Sequence, residues 1–393
     1  MRKLKLNLII FFLVSAFLSI IPISCNSDIN SPRDIKAEYQ LIFDSTYNIE
    51  STSFSDASDI IELSIGGYII AGRSYEYDYS AILLRIEDIG KQLWSKTYSN
   101  AIRLHSVIET EDKFIVAIGK SQQGLYILKT DQQGNLVWEY YYDFPYDASG
   151  SKIIENKSGE YLVIANSTEP NSKAKLICLS SNGTLSWESD IAGNGTVRVY
   201  SICENADSTL SLLGTANVYS TNESFLLTLN KNGMELKRVQ IDLDLYDLSY
   251  SYFESSVHQN SLGYYAGCGG NAFILIDSQG YPLTKSLVPI STDYNGVVVY
   301  SLVSNIDDGF LVCGANIISE EDDSTHIIDI SSYGAIFLFD VNGNFIKSLD
   351  VKHQNSYSEA TSIILSKDNS IVFTGLSAQN GIRRIWVKKI KIL

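Results

Sequence analysis

The sequence predicts an all-β protein, a seven-bladed β-propeller with four antiparallel strands per blade. Three observations carry this prediction. A strand-rich motif recurs along the whole chain, helical periodicity is scarce among dense Ile, Val, Leu, Tyr and Phe, and the last repeat lacks a strand that reappears near the N-terminus.

The motif is clearest from Gly67 to Tyr98, GYIIAGRSYEYDYSAILLRIEDIGKQLWSKTY. An apolar strand ends in Gly, a polar loop follows, then a second apolar strand, a Gly turn and a strand carrying Trp. Five later passages keep that order, and their turn glycines, with the first, are Gly90, Gly134, Gly183, Gly233, Gly280 and Gly343, 44 to 63 residues apart. A further short apolar run precedes each unit (DIIEL, SVIET, KIIEN, SICEN, SSVHQ, SLVSN, TSIIL), which makes four strands, a to d. This period and strand count are those of propeller blades. Asn182-Gly183, Asn232-Gly233 and Asn342-Gly343 predict type I′ turns between strands c and d, because that dipeptide tolerates positive φ at both central positions. Trp94, Trp138 and Trp187 each lie four residues beyond a turn Gly and are expected to pack blade against blade.

The two ends of the chain complete each other. The seventh unit supplies strands a, b and c and stops at Leu393, whereas Tyr39 to Tyr47, YQLIFDSTY, resembles LWSKTY and precedes the first complete unit. Pairing that N-terminal strand with the last one closes the ring and removes the sheet edges that an open array would expose. A ring closed in this way needs no second copy, so a monomer is expected.

Residues 1–24 read as an export signal: Arg2, Lys3 and Lys5, then an apolar run from Leu6 to Ile21 that is short for a membrane span. Ser24-Cys25 resembles the bacterial lipobox, which implies lipid on Cys25. An ordinary signal cut nearby would leave Cys25 an incidental thiol. Residues 25–37 are a polar tether, and residues 38–393 the propeller, with no linker dividing them. Anchoring by the N-terminal lipid in the cell envelope, most simply at the outer membrane, follows. Thirty basic against 45 acidic residues give the chain a net charge of −15, and removing the signal takes away three positive charges. Such a surface repels phosphate backbones and excludes nucleic acid as a partner. Cys178, Cys203, Cys268 and Cys313 fall in different strands or blades without CxxC spacing and are expected to be buried thiols.

The repeat resembles that of bacterial cell-envelope propellers, many of them Bacteroidetes lipoproteins, in which units like GGYIVAG…WLIKLDSNGNVLWSKTY recur. The likeness spans Tyr39 to Leu393 and implies a fold rather than a function. The Gly-to-Trp spacing also looks like the Trp motif of quinoprotein (PQQ-like) propellers. It lapses after three units, with Lys237, Thr284 and Lys347 in place of Trp, so no cofactor is carried over.

In a four-stranded blade the d–a and b–c connections share one face. Here they are rich in tyrosine: Tyr75, Tyr77, Tyr79, Tyr142, Tyr146, Tyr246, Tyr250, Tyr294 and Tyr357. Rings beside carboxylates suit a glycan or an envelope protein, although alternate tyrosines also bury in sheets. Glu320 to Asp323 lack the spacing of a calcium loop and read as a solvated loop; Asp242, Asp244 and Asp247 read as one face of a strand. His105, His258, His326 and His353 form no catalytic motif, though His105 and His353 lie near d–a connections where they could meet across the channel. The functional expectation is a non-catalytic binding or scaffolding module. The alternative is a glycan-active hydrolase or lyase with acidic residues on the same face.

Overall fold

The ring is closed by its two ends. Tyr39–Tyr47 pairs antiparallel with Ile382–Ile392, from Tyr39 opposite Ile392 to Tyr47 opposite Ile385. It is thereby the outer strand of blade 7, whose other strands are Tyr357–Leu365 and Ile371–Gln379. The computed structural model describes residues 39–49, 52–142, 148–167, 169, 173–218, 221–241, 258–259, 263–277, 279–305, 307–321, 328–351, 353–354 and 357–392. Among them, 28 strands make seven four-stranded antiparallel sheets, each in the order a-b-c-d. The fold is therefore the seven-bladed propeller that the repeat predicts.

Strands a of neighbouring blades touch one another and surround the axis. They are Phe54–Glu62, Arg103–Glu109, Ala148–Glu155, Thr196–Glu204, His258–Gln259, Gly296–Ser304 and Tyr357–Leu365. Strands b and c are buried because each blade is covered on both sides. Seven apolar clusters fill the seven gaps, for instance Ile69 and Leu83 with Leu104 and Tyr126 between blades 1 and 2, and Val372 and Ile385 with Ile60 and Ile82 between blades 7 and 1.

The turn glycines join this packing. Gly134, Gly183 and Gly233 lie against Trp94, Trp138 and Trp187 of the preceding blade, and Gly90 lies against Phe43 of the closing strand. Tyr98 donates to Gly134 O at 2.9 Å and Tyr47 to Gly90 O at 2.7 Å. The N-terminal strand thus repeats the contacts of an ordinary strand d. Asp44 adds a pin of its own, accepting from Trp386 Nε1 and His353 Nδ1, each at 2.7 Å, with Lys388 Nζ at 3.2 Å.

The c–d turns differ from the type I′ expectation. Asn182, Asn232 and Asn342 keep negative φ, and only the glycines enter the left-handed region, as at Gly183 (φ 83°). The first turn residue explains this. Asp131, Asn230, Asp277 and Asp340 each accept two backbone N–H groups, as Asp340 Oδ1 does from Asn342 and Asn344 at 2.8 Å. That side chain holds a wider turn in which Gly alone needs positive φ. Cys178, Cys268 and Cys313 are buried and Cys203 is partly buried, all four as free thiols.

Strands b and c of blade 6 form a long hairpin, Phe310–Glu321 with Ile328–Phe339, so Glu320 and Glu321, expected in a loop, lie in a strand. Residues 322–327, with Asp322 and Asp323, lie outside the described residues, as do Asp242, Asp244 and Asp247.

Candidate functional site

The two faces of the ring are built differently. On the a–b face the closing Glu of strand a clamps the preceding blade. Glu109 accepts from Ser64 N (2.6 Å), Glu155 from Glu111 N, Glu204 from Lys157 N and Glu62 from Lys367 N, each at 2.8 Å. These contacts repeat because they are structural.

On the d–a and b–c face the strands a open into a cavity of about 600 Å³ at the mouth of the axial channel. Its construction starts from a backbone irregularity. Each of six inner strands shifts register once, leaving one extra residue: Ser58, His105, Ser151, Tyr200, Tyr300 and Thr361. All six line the cavity. A β-bulge re-aims a side chain and bends the strand, and here it does so in blade after blade at one height. The Gly that ends the strand-b motif allows it. A Cβ on Gly72, Gly119, Gly214, Gly314 or Gly375 would run into the carbonyl of Asp56, Arg103, Arg198, Val298 or Glu359, two residues before the bulge.

The residues brought together are not a repeat. Asp56, Arg103, Ser149, Arg198 and Glu359 stand two positions before the bulges, with Arg73, Asn166 and Arg383 beside them from other strands. Asp56 is bridged by Arg73 Nε at 2.9 Å and Arg103 Nη2 at 3.1 Å. Arg103 also donates to Ser58 Oγ at 2.8 Å. Glu359 accepts from Tyr357 (2.5 Å), Ser332 (3.1 Å) and Tyr300 (3.4 Å) hydroxyls. Asn166 is tied to Val199 N and O. One residue past the bulges, Asp59 accepts from Val107 N at 3.1 Å and Ser362 Oγ at 2.9 Å, while Lys152 reaches it from blade 3 at 3.6 Å. Burial, together with Arg103, Arg73 and Lys120, pushes His105 down to about 3, so its imidazole is neutral at pH 7.

The predicted tyrosines fall into three groups. The Tyr75 and Tyr79 rings meet at a tilt of 51° with centroids 4.9 Å apart, Phe54 lies alongside, and the Arg73 guanidinium lies 4.9 Å from the Tyr79 ring; Tyr77 is exposed nearby. This cluster adjoins the cavity through Arg73. Tyr142, Tyr294 and Tyr357 donate to Glu188, Asp350 and Glu359, and burial with the adjoining carboxylate raises each phenol. Of these, Tyr357 reaches the cavity through Glu359. Tyr146, Tyr246 and Tyr250 lie outside the described residues, as does Cys25. His105 and His353 do not meet: the first lines the cavity, whereas the second binds Asp44 on the outermost strand.

Sequence reasoning missed the arginines. Arg73, Arg103, Arg198 and Arg383 occupy different strands and share no linear motif. The available signal was the residue before the recurrent Ser of strand a, as in HS, YS, YS and TS, which is the bulge position.

No family model and no curated protein matches this chain. Solved structures match the fold. Sqt1 from Chaetomium thermophilum aligns with a TM-score of 0.54 at 9% identity, over 91% of this chain and 100% of that one. A protein of unknown function from Dyadobacter fermentans aligns with a TM-score of 0.52 at 9% identity, over 90% and 99%. A protein of unknown function from Bacteroides caccae covers 68% of this chain and 89% of its own, with a TM-score of 0.44 at 14% identity.

Proposed function

We propose that this protein is a non-catalytic binding module of the cell envelope, held by lipid on Cys25, which receives part of a glycan in the mouth of its axial channel. One observation carries the reading. Six inner strands share one backbone device, a bulge at the same place, yet there they deliver Ser, His, Ser, Tyr, Tyr and Thr into one cavity. Packing alone would have been met by one residue type at every bulge. The volume is that of a small-ligand pocket, about 300 to 1,000 Å³. Both carboxylates lining it are taken up by arginines or hydroxyls, which favours binding over the paired acid and base of a glycosidase.

The test combines glycan-array binding by the mature protein with a turnover assay on every sugar retained. Binding without turnover, lost in Arg198→Ala/Tyr300→Ala, supports the reading. Turnover of a bound sugar, or binding indifferent to those substitutions, refutes it. Metabolic lipid labelling that disappears in Cys25→Ser checks the anchor.

A further inference from the structure

We infer that the moiety taken into the channel mouth is an acidic sugar, bearing its oxyanion as a carboxylate or a sulfate ester. The inference rests on the binding role proposed above and adds the charge of the ligand.

The chain as a whole is acidic, with 30 basic against 45 acidic residues. At the cavity the balance reverses. Four arginines, Arg73, Arg103, Arg198 and Arg383, face two carboxylates, Asp56 and Glu359, a formal excess of two positive charges. Asp56 takes Arg73 and Arg103 together, and Glu359 is held by three hydroxyls. All four cations are arginine, whose planar fork pairs with carboxylate and sulfate oxygens through two parallel hydrogen bonds.

His105, whose protonation is opposed first by burial and then by Arg103, Arg73 and Lys120, adds no positive charge of its own at neutral pH. Tyr200 and Tyr300 line the cavity with aromatic rings, and Ser58, Ser149, Ser151 and Thr361 line it with hydroxyl-bearing side chains. Rings suit the C–H faces of a sugar and hydroxyls suit its rim. The acidic exterior repels a long polyanion, so what enters is a short acidic oligosaccharide or the end of a chain.

Calorimetry on the intact mature protein with four probes tests this: trigalacturonate, a sulfated disaccharide, galactotriose and inorganic sulfate. At low salt, at least one acidic sugar should bind ten-fold or more tightly than galactotriose and weaken several-fold between 50 and 300 mM NaCl. Comparing the uronate and sulfate arms identifies the oxyanion. Arg198→Gln and Arg383→Gln should each lose ten-fold or more for the acidic sugar and under two-fold for galactotriose, with Arg383→Lys intermediate because it keeps charge without the fork. If a glutamine variant fails to fold, the acid-to-neutral ratio and salt slope of the unsubstituted protein still decide. Equal binding of galactotriose, with no salt dependence, overturns the charge assignment and leaves the channel as a neutral-glycan site. Sulfate binding as tight as the sugars, or no binding of any probe, overturns the acidic-sugar assignment. Binding of a sugar that ignores both arginines and Tyr300→Ala overturns the channel as the site.

Discussion

Replacing Asp44 by alanine should loosen the closure of the ring. Asp44 sits on the N-terminal strand, 17% exposed, and gathers Trp386, His353 and Lys388, the last 5% exposed. Removing one partner of a buried charge pair costs about 3 to 5 kcal/mol. Lys388 keeps a hydrogen bond to Val351 O at 3.2 Å, which places Asp44→Ala near the lower bound, about 3 kcal/mol. Asp44→Asn retains an acceptor for Trp386 and should cost less, about 1 to 2 kcal/mol. Burial alone would raise the Asp44 pKa. The hydrogen bonds from His353 and Trp386 and the charge of Lys388 outweigh it and hold the carboxyl below its ordinary value. Unfolding therefore takes up a proton as the pH falls below about 4, and this contribution, fully present above that pH, fades as the pH drops through the lower folded value. Urea unfolding followed by tryptophan fluorescence, at pH 7 and at steps down to pH 3, measures both effects. A loss under 1 kcal/mol for Asp44→Ala, or a stability gap between the parent and Asp44→Asn that stays constant over that range, would refute the reasoning.

Three further outcomes are expected. Gly119→Ala forces a Cβ into the Arg103 carbonyl, so it should cost about 1 to 3 kcal/mol by overpacking and shift the His105 resonances in a two-dimensional NMR spectrum; unchanged stability would contradict the role given to that glycine. Tyr47→Phe deletes the buried hydroxyl that donates to Gly90 O, with an expected loss of about 1 kcal/mol in the same urea assay. His105, kept neutral in the fold, ionises on unfolding below its ordinary pKa of about 6.5, so it penalises stability as pH falls from there toward 3. His105→Asn should remove that part of the acid destabilisation, visible as a shallower fall of stability with pH than in the parent.

The architecture was legible because its determinants are local and repeated. YQLIFDSTY could be matched to LWSKTY by eye, and the structure places Phe43 and Tyr47 in the contacts that Trp94 and Tyr98 make in blade 1. Turn type differs from the Asn-Gly expectation because the side chain two residues earlier, Asn230 or Asp340 and more weakly Ser180, accepts backbone N–H groups and rearranges the turn. The site was less legible. Its face followed from strand order, but Arg73, Arg103, Arg198 and Arg383 come from four strands of four blades and are brought together only by the closed ring. A register shift leaves no mark in hydrophobic periodicity beyond a Gly in the partner strand. Tyrosine abundance drew attention instead, and three of those hydroxyls prove to be fastened to carboxylates.

Closure by the first strand also sets the order of events in assembly. Tyr39–Tyr47 is synthesised before any blade, yet its hydrogen-bonding partner Ile382–Ile392 is made only after the other six blades. Through most of synthesis the first-made strand has to wait without that partner, and six blades can stack before the seventh is sealed. A prematurely terminated chain would keep most of its packed layers but never gain the outer strand of its final sheet. Its open edge would distinguish it from the finished molecule, offering proteases and chaperones a simple criterion of completeness.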